Sequence, residues 1–204
     1  INTLVLTSAT TFITGSYRFR LSDGTVRQIA CTPVRIFSLD TTGAQTNRTA
    51  TNFTGANTDL WTYTIANDEL VGTNGIDNIF RWNGTAATVS AISGSGAPTS
   101  AKYVESFVDR IVAARTVESG VSYQRRVRWS NSASNTTWNG TTAGFADLND
   151  THGWITGLKK LRQYLIVYKE DSIIIGTSSG IGSAPINFDQ KTSFPGCLSG
   201  QTIA

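Results

Sequence analysis

The chain has 204 residues, of which 39% are apolar and 15% are charged, and its formal net charge at pH 7 is +3. This balance is typical of a folded domain with its own core and excludes an intrinsically disordered chain. The longest apolar runs, residues 164–168 and 173–175, are strand-length, far below the roughly 20 residues of a membrane-spanning helix. The 30 Thr and 19 Gly, with only 4 Pro, predict strands joined by turns.

The first third of the chain is predicted to contain short strands and tight turns. In chain order, we expect two or three strands within residues 1–26, among them 4–6 and 17–21, a hairpin turn at 22–25, a hairpin over 27–40 that turns at Thr32 and Pro33, and a surface loop at 41–58. The loop is predicted because this segment contains many Thr, Asn and Gly and few large apolar side chains.

The middle of the chain shows the same pattern. We expect a strand at residues 60–65, a turn at 74–77, a turn at Asn83 and Gly84 with a returning strand at 88–92, and a linker at 93–99. Residues 100–107 are the best helical candidate, but their alternation fits a strand equally well. The pattern therefore favours hairpins throughout this region.

In the last third, a hairpin starts at Ile111 and is predicted to be widened by residues 116–123. A polar excursion over residues 131–144 follows and carries Trp138. Residues 145–148 and 154–158 then lead into the last clear hairpin.

A short apolar sequence motif recurs along the chain, and each copy begins one of the predicted hairpins. Its copies begin at Ile29, Leu70, Ile111 and Leu165, at intervals of 41, 41 and 54 residues. This spacing is typical of propeller blades of four short strands, each of which needs a neighbour to cover its apolar face. The alternative is that similar hairpins arise by chance in any all-β chain.

We therefore predict a single all-β domain, a β-propeller-like array of short antiparallel blades. The predicted repeat units are residues 27–65, 66–107, 108–158 and 159–177. Because the chain contains no Met and four repeats are few for a closed propeller, we expect a segment of a longer protein with blades missing or supplied by a partner.

Basic residues form two sequence clusters that are candidate DNA-facing or interface residues. They are Arg125, Arg126 and Arg128 in one cluster, and Lys159, Lys160 and Arg162 in the other. Solvated outer faces of strands carry such residues routinely, which is the alternative. For glycan stacking, the candidate is Trp138, whose polar surroundings predict an exposed ring, whereas Trp82 and Trp129 occupy equivalent repeat positions and are predicted to be core residues.

The sequence predicts no enzyme, and no catalytic residue, cofactor or metal site is assigned. Residues 176–180 spell a nucleophile elbow, with His152 and Asp147 or Asp150 as formal partners, but the stretch after Ser178 cannot start a stable helix. His152 is the only histidine, so a multi-histidine metal site is excluded. Cys31 and Cys197 would pair only if the two ends of the array met, and unpaired thiols are the alternative.

A longer pattern begins at Arg128, Trp129 and Ser130 and continues through Thr137 and Trp138, residues 144–148, residues 155–158 and residues 164–173. In this order and spacing it resembles the β-propeller tail proteins of short-tailed bacteriophages, the nozzle or tail-hub components below the portal and adaptor. The resemblance covers residues 108–177 best. The proteins of that family are longer, and nothing in this chain matches their tail-specific domains, so their docking surfaces are not identified here.

The resemblance implies a structural role in the virion tail of a protein made in the host cytoplasm. Such proteins form a ring of copies, usually a hexamer, that extends the DNA channel, retains packaged DNA, and contacts the portal or adaptor and the tail fibre proteins. Non-specific contact with packaged DNA is part of this expectation. The alternatives are a carbohydrate-binding, adhesin-like propeller and, less favoured, a hydrolase of surface glycans that would use a carboxylate pair.

Overall fold

The computed structural model describes residues 12–192 and 196–199. Within these residues the chain forms sixteen strands and no helix. The strands build four antiparallel sheets, and each sheet consists of four consecutive strands that pair with their chain neighbours. The all-β, propeller-like prediction is confirmed.

Sheets 1 and 2 occupy the first half of the chain. Sheet 1 contains β1 (Gly15–Arg20), β2 (Val26–Cys31), β3 (Ile36–Leu39) and β4 (Gln45–Asn47). Sheet 2 contains β5 (Thr62–Ala66), β6 (Glu69–Thr73), β7 (Phe80–Trp82) and β8 (Ser90–Ala91). β4 lies inside the segment predicted to be a loop. Its three residues carry no apolar alternation that would predict a strand, but they pair with β3.

Sheets 3 and 4 contain the longer strands. Sheet 3 contains β9 (Ser100–Phe107), β10 (Arg110–Glu118), β11 (Val121–Trp129) and β12 (Gly144–Asp147). Sheet 4 contains β13 (Ile155–Leu161), β14 (Tyr164–Lys169), β15 (Ile173–Ser178) and β16 (Ile186–Thr192). Residues 100–107, whose sequence fits a helix or a strand equally well, form the strand β9. The predicted strand at residues 4–6 lies outside the described residues.

The four sheets pack in chain order through their first strands. β1 contacts β5, β5 contacts β9, and β9 contacts β13. Side chains bridge the neighbours: Thr64 Oγ1 of β5 donates to the Glu105 carboxylate at 2.9 Å, and Thr73 Oγ1 of β6 donates to Ala101 O at 2.7 Å. In the described residues, extensive contacts between sheets join only sheets that are adjacent in the chain.

Three apolar clusters fill the three interfaces. Between sheets 1 and 2 the core is rich in aromatic rings, including Phe19, Trp61, Phe80 and Trp82. Between sheets 2 and 3 lie smaller aliphatic residues and Trp138. Between sheets 3 and 4 the core is mainly Val, Leu and Ile, with Trp129. Each sheet therefore gains stability by covering the face of its neighbour.

The first residue of each copy of the apolar repeat lies on the second strand of a sheet: Ile29 on β2, Leu70 on β6, Ile111 on β10 and Leu165 on β14. The first three predicted units begin at or next to the second strand of one sheet and end within or next to the first strand of the following sheet. The repeat is thus offset by one strand from the sheets.

Trp82 and Trp129 are both buried, but the predicted equivalence of their positions is wrong. Trp82 pairs with Leu70 and faces sheet 1, whereas Trp129 pairs with Val112 and faces sheet 4. Since alternate residues of a strand point to opposite faces, a shift of one residue in pairing is enough to produce this difference.

The hairpin between β10 and β11 also differs from its prediction. The two strands run to Glu118 and Val121, and a tight turn at Ser119 and Gly120 joins them, with Gly120 at φ 81°. Residues 116–123 therefore lengthen the strands rather than widen the hairpin. The predicted turn at Asn83 and Gly84 is present: Asn83 Oδ1 accepts from the backbone N–H of Ala86 at 2.8 Å, and Gly84 has φ 82°.

Candidate functional site

Two of the three arginines predicted to face DNA on β11, Arg126 and Arg128, are engaged in an ion-pair network. Arg126 binds both carboxylate oxygens of Asp147 at 2.7 Å and Glu118 at 3.1 Å, and Arg128 binds Glu118 at 3.0 Å. The hydrogen bond from Arg126 holds the pKa of Asp147 below its usual range, and the same bond raises the pKa of Arg126. The positive charge here is balanced within sheet 3.

Aromatic rings complete this network. The guanidinium carbon of Arg126 lies 3.6 Å from the centroid of the Tyr123 ring and 3.9 Å from that of Phe145, which is 50% exposed. Arg125 does not join them: its Nε donates to His152 O at 2.9 Å. The three arginines therefore do not form one basic surface.

The second basic cluster remains exposed. Lys159 and Lys160 lie near the end of β13, and Arg162 lies in the turn to β14 with φ 55°. The backbone N–H of Lys160 donates to Glu105 Oε2 at 3.2 Å, which joins this strand to sheet 3. These three side chains stay available to a phosphate or to another subunit.

Trp138 is not exposed, and the prediction of a glycan-stacking ring there is wrong. It is 0% exposed and packs between sheets 2 and 3. The polar loop folds back because Asn135 Nδ2 donates to Ala66 O at 2.9 Å and to Glu69 Oε2 at 2.7 Å. The tryptophan that does reach the surface is Trp154, which is 45% exposed.

The formal nucleophile elbow does not form. Ser178 is the last residue of β15, and a turn follows it instead of a helix. Its formal partner Asp147 is bound to Arg126, and His152 is exposed in a loop. In residues 12–192 and 196–199, no group of three or more His, Cys, Asp or Glu side chains is placed to hold a metal ion. The same residues contain no helix that could cross a membrane.

Cys31 and Cys197 do not pair with each other. Cys31 is buried between sheets 1 and 2, and burial raises the pKa of its thiol to about 12. Cys197 lies beside sheet 4, where its backbone N–H donates to Lys169 O at 2.8 Å.

Lys169 is a buried lysine that sequence reasoning missed. Its Nζ donates to Leu148 O and Thr151 O, both at 2.8 Å, so it holds the loop between β12 and β13 against sheet 4. Burial lowers the pKa of its ammonium group, since none of the bonds it forms is to a carboxylate. The surrounding sequence carries no signal for this role because the acceptors are backbone carbonyls.

A groove of about 900 Å³ lies beside sheets 1 and 2. Its walls carry Arg18, Arg27 and Arg48, together with the Gly84 turn of sheet 2. In the described part of the chain, none of the three arginines forms an ion pair with a carboxylate. Sequence reasoning missed this site because the three arginines are dispersed along the chain and Arg48 follows the unpredicted strand β4.

The outer face of sheet 4, which points away from sheet 3, has an apolar centre. Strand pairing places on it the apolar residues Leu161, Tyr164, Ile166, Tyr168, Ile173 and Ile175, together with Lys159, Thr177, Asn187 and Asp189. Leu161 is 60% exposed and Tyr164 is 38% exposed. An antiparallel sheet that faces water normally alternates with polar residues on that side.

Neither the protein-family models nor the curated proteins give a match to this chain.

Proposed function

We propose that the chain is a structural component of a bacteriophage tail, one blade array in the wall of a ring around the DNA channel. The observation that carries the proposal is the outer face of sheet 4. Its centre is apolar, with Ile166, Ile173 and Ile175, yet in the described part of the chain the extensive contacts of sheet 4 with other sheets are all with sheet 3.

Corresponding residues on the second strands support this comparison. Leu70 and Ile111 face the preceding sheet, and the next residues, Val71 and Val112, face the following sheet and are fully buried in its interface. On β14, Leu165 faces sheet 3, and Ile166 takes the position that Val71 and Val112 take in their sheets. At this position, the outer face of sheet 4 therefore resembles the faces of sheets 2 and 3 that pack against the following sheet.

We infer that the sheet is received from a neighbouring copy of this chain. Each of the three interfaces within the chain is formed between two sheets of this chain, which favours a sheet of another copy as the partner of sheet 4. Contacts between different patches of identical copies close into rings when the rotation permits. This agrees with the ring that the phage-tail resemblance implies.

The mechanical role follows from the same construction. Three apolar interfaces join sixteen strands into a stiff array, which suits a wall that carries load without moving parts. Lys160 and Arg162 are the exposed cations that we propose to meet DNA phosphates, with a salt-dependent and sequence-independent contribution, whereas Lys159 lies on the outer face of sheet 4 that a neighbouring copy would cover. We also propose that the ring binds the portal or adaptor and the tail fibre proteins.

Carbohydrate binding is the second candidate. Trp138 no longer supports it, because that ring is buried. The arginine groove beside sheets 1 and 2 does support it, and it is independent of the sheet 4 face.

Electron microscopy of the purified chain tests the tail role. We expect class averages of rings with an open central channel, and we expect a Leu161→Asp, Tyr164→Asp double variant to give single particles. Folded wild-type chains that remain single particles at every concentration would contradict the proposal. Rings that the double variant forms equally well would place the contact elsewhere and remove its main support.

A further inference from the structure

The arginine groove beside sheets 1 and 2 combines fixed positive charge with neutral surroundings. Arg48 Nε donates to Ser38 Oγ at 2.7 Å, and its guanidinium lies 5.3 Å from the centroid of the Trp82 ring. Arg27 Nε donates to Gly84 O at 3.0 Å. Both guanidinium groups are therefore oriented by neutral acceptors. Neither forms an ion pair with a carboxylate among the described residues, although Asp23 lies close enough to Arg27 to interact with its charge.

The single carboxylate that lines the groove, Asp40, is occupied by its own turn. Its Oδ1 accepts from the backbone N–H of Thr42 at 2.9 Å and of Ala44 at 2.8 Å. Arg18 also lines the groove and is exposed, but it extends from the face of sheet 1 opposite to that of Arg27. Three guanidinium groups and one carboxylate thus line the groove, which is positive overall.

The remaining walls suit a sugar chain. Gln28, Thr41, Thr46 and Thr85 supply amide and hydroxyl groups that can both donate and accept hydrogen bonds. A volume of about 900 Å³ is within the range of small-ligand sites, and a segment of an oligosaccharide fits it.

We propose that this groove binds an anionic oligosaccharide, with Arg27 and Arg48 on the carboxylate of a uronic acid unit. A guanidinium group offers a planar pair of N–H donors that matches a carboxylate, and donors that are already oriented lose less entropy on binding. Gln28 and Thr46 contact the neutral hydroxyl groups of the chain. The site does not depend on the tail role, because it lies at the opposite end of the array from the outer face of sheet 4.

Calorimetric titration of the whole chain tests this site with three probes of similar length. They are a galacturonic acid hexasaccharide, a hyaluronan hexasaccharide and the neutral hexasaccharide of N-acetylglucosamine. At least one acidic probe is expected to bind, at least about tenfold more tightly than the neutral probe, because charge-assisted hydrogen bonds contribute at this scale. Failure of both acidic probes, or equal binding of the neutral probe, would overturn the proposal.

Arginine variants test whether the acidic probe binds in this groove. Arg48→Gln and Arg27→Gln are each expected to weaken binding of the acidic probe about tenfold or more. Arg18→Gln tests the same charge at an exposed side chain whose loss leaves the fold intact, and it is expected to weaken binding severalfold. Arg35→Gln is the matched control, since it removes the same charge from the opposite end of sheet 1.

The outcomes are separable. Unchanged affinity in Arg18→Gln and in a folded Arg48→Gln variant would contradict the assignment. Tighter binding of a short DNA duplex, lost in these same variants, would make the groove a nucleic-acid contact and would overturn the oligosaccharide proposal. Ring formation is expected to be the same in all of these variants, so the result does not depend on the proposed tail role.

Discussion

The two ends of the array present different surfaces. The outer face of sheet 1 mixes the exposed polar residues Arg18, Gln28 and Asn47 with Val26, Ala30, Phe37 and Leu39. The outer face of sheet 4 carries Leu161 and Tyr164 at its exposed edge and isoleucines behind them. Both faces end the same kind of four-stranded sheet, so backbone architecture does not explain the difference.

The difference shows what each end is suited to do. A polar face of an antiparallel sheet is stable in water, and its charges remain available to a small ligand. An apolar face gains free energy from being covered, at roughly 25 cal/mol per Å² of apolar surface buried. One end of the array is therefore suited to an anionic ligand and the other to a protein surface.

The largest expected effects lie inside the covered interfaces. Trp82→Ala and Trp129→Ala should each lower the free energy of unfolding by about 3 to 5 kcal/mol, because each leaves a large cavity between two sheets. Urea unfolding followed by circular dichroism measures both. Trp154→Ala is the control at an exposed ring, and a loss equal to that of Trp82→Ala would contradict the packing described.

Neighbouring residues of β14 provide the sharpest contrast between a covered and an uncovered face. Leu165→Ala should lower the free energy of unfolding by about 2 to 5 kcal/mol, since Leu165 is fully buried against sheet 3. Tyr164→Ser, one residue away on the outer face, should change it by about 0.5 kcal/mol or less in dilute solution. Equal effects in the two variants would show that the two faces of sheet 4 are not distinct.

Lys169 supports the covered side of the same sheet. Lys169→Met should lower the free energy of unfolding by about 1 to 3 kcal/mol, because Leu148 O and Thr151 O lose their buried donor. Chemical denaturation measures the loss, and Lys159→Met is a control on the outer face. A Lys169→Met variant as stable as the wild type would mean that these carbonyls find other donors.

The ion pair on sheet 3 should have a smaller, pH-dependent effect. Asp147→Asn is expected to lower the free energy of unfolding at pH 7 by about 1 kcal/mol, reduced by the partial exposure of the pair. The folded pKa of Asp147 lies below its ordinary value of 3.8, so this contribution is present above that pH and is lost as the pH falls through the lowered pKa. Unfolding measured at pH 7 and near pH 2 should show the difference shrink, and a constant difference would exclude this pair as its cause.

Strand alternation and turn chemistry made the repeat predictable from the sequence. Ile29, Leu70, Ile111 and Leu165 carry an apolar signal that each sheet must repeat in order to cover its neighbour. The register of the third strands was not predictable, because a one-residue shift in pairing reverses the face of Trp129 and leaves the composition unchanged.

The binding surfaces were harder to predict because they depend on contacts distant in sequence. Trp138 sits among polar residues, and only the bonds from Asn135 to sheet 2 show that its loop folds inward. Arg126 looks like part of a basic cluster, while its partners Glu118 and Asp147 come from neighbouring strands. One of the two clusters of like charge in the sequence thus becomes a balanced network in the sheet, and arginines dispersed along the chain line a groove.

Sedimentation velocity of the wild-type chain and of the Leu161→Asp, Tyr164→Asp double variant tests the outer face of sheet 4 most directly. The control is Val121→Asp, which places the same charge at another exposed apolar side chain. We predict a concentration-dependent assembly of several copies for the wild type and the control, and a folded monomer for the double variant. A wild-type monomer at all concentrations, or an assembly that the double variant retains, would contradict the account.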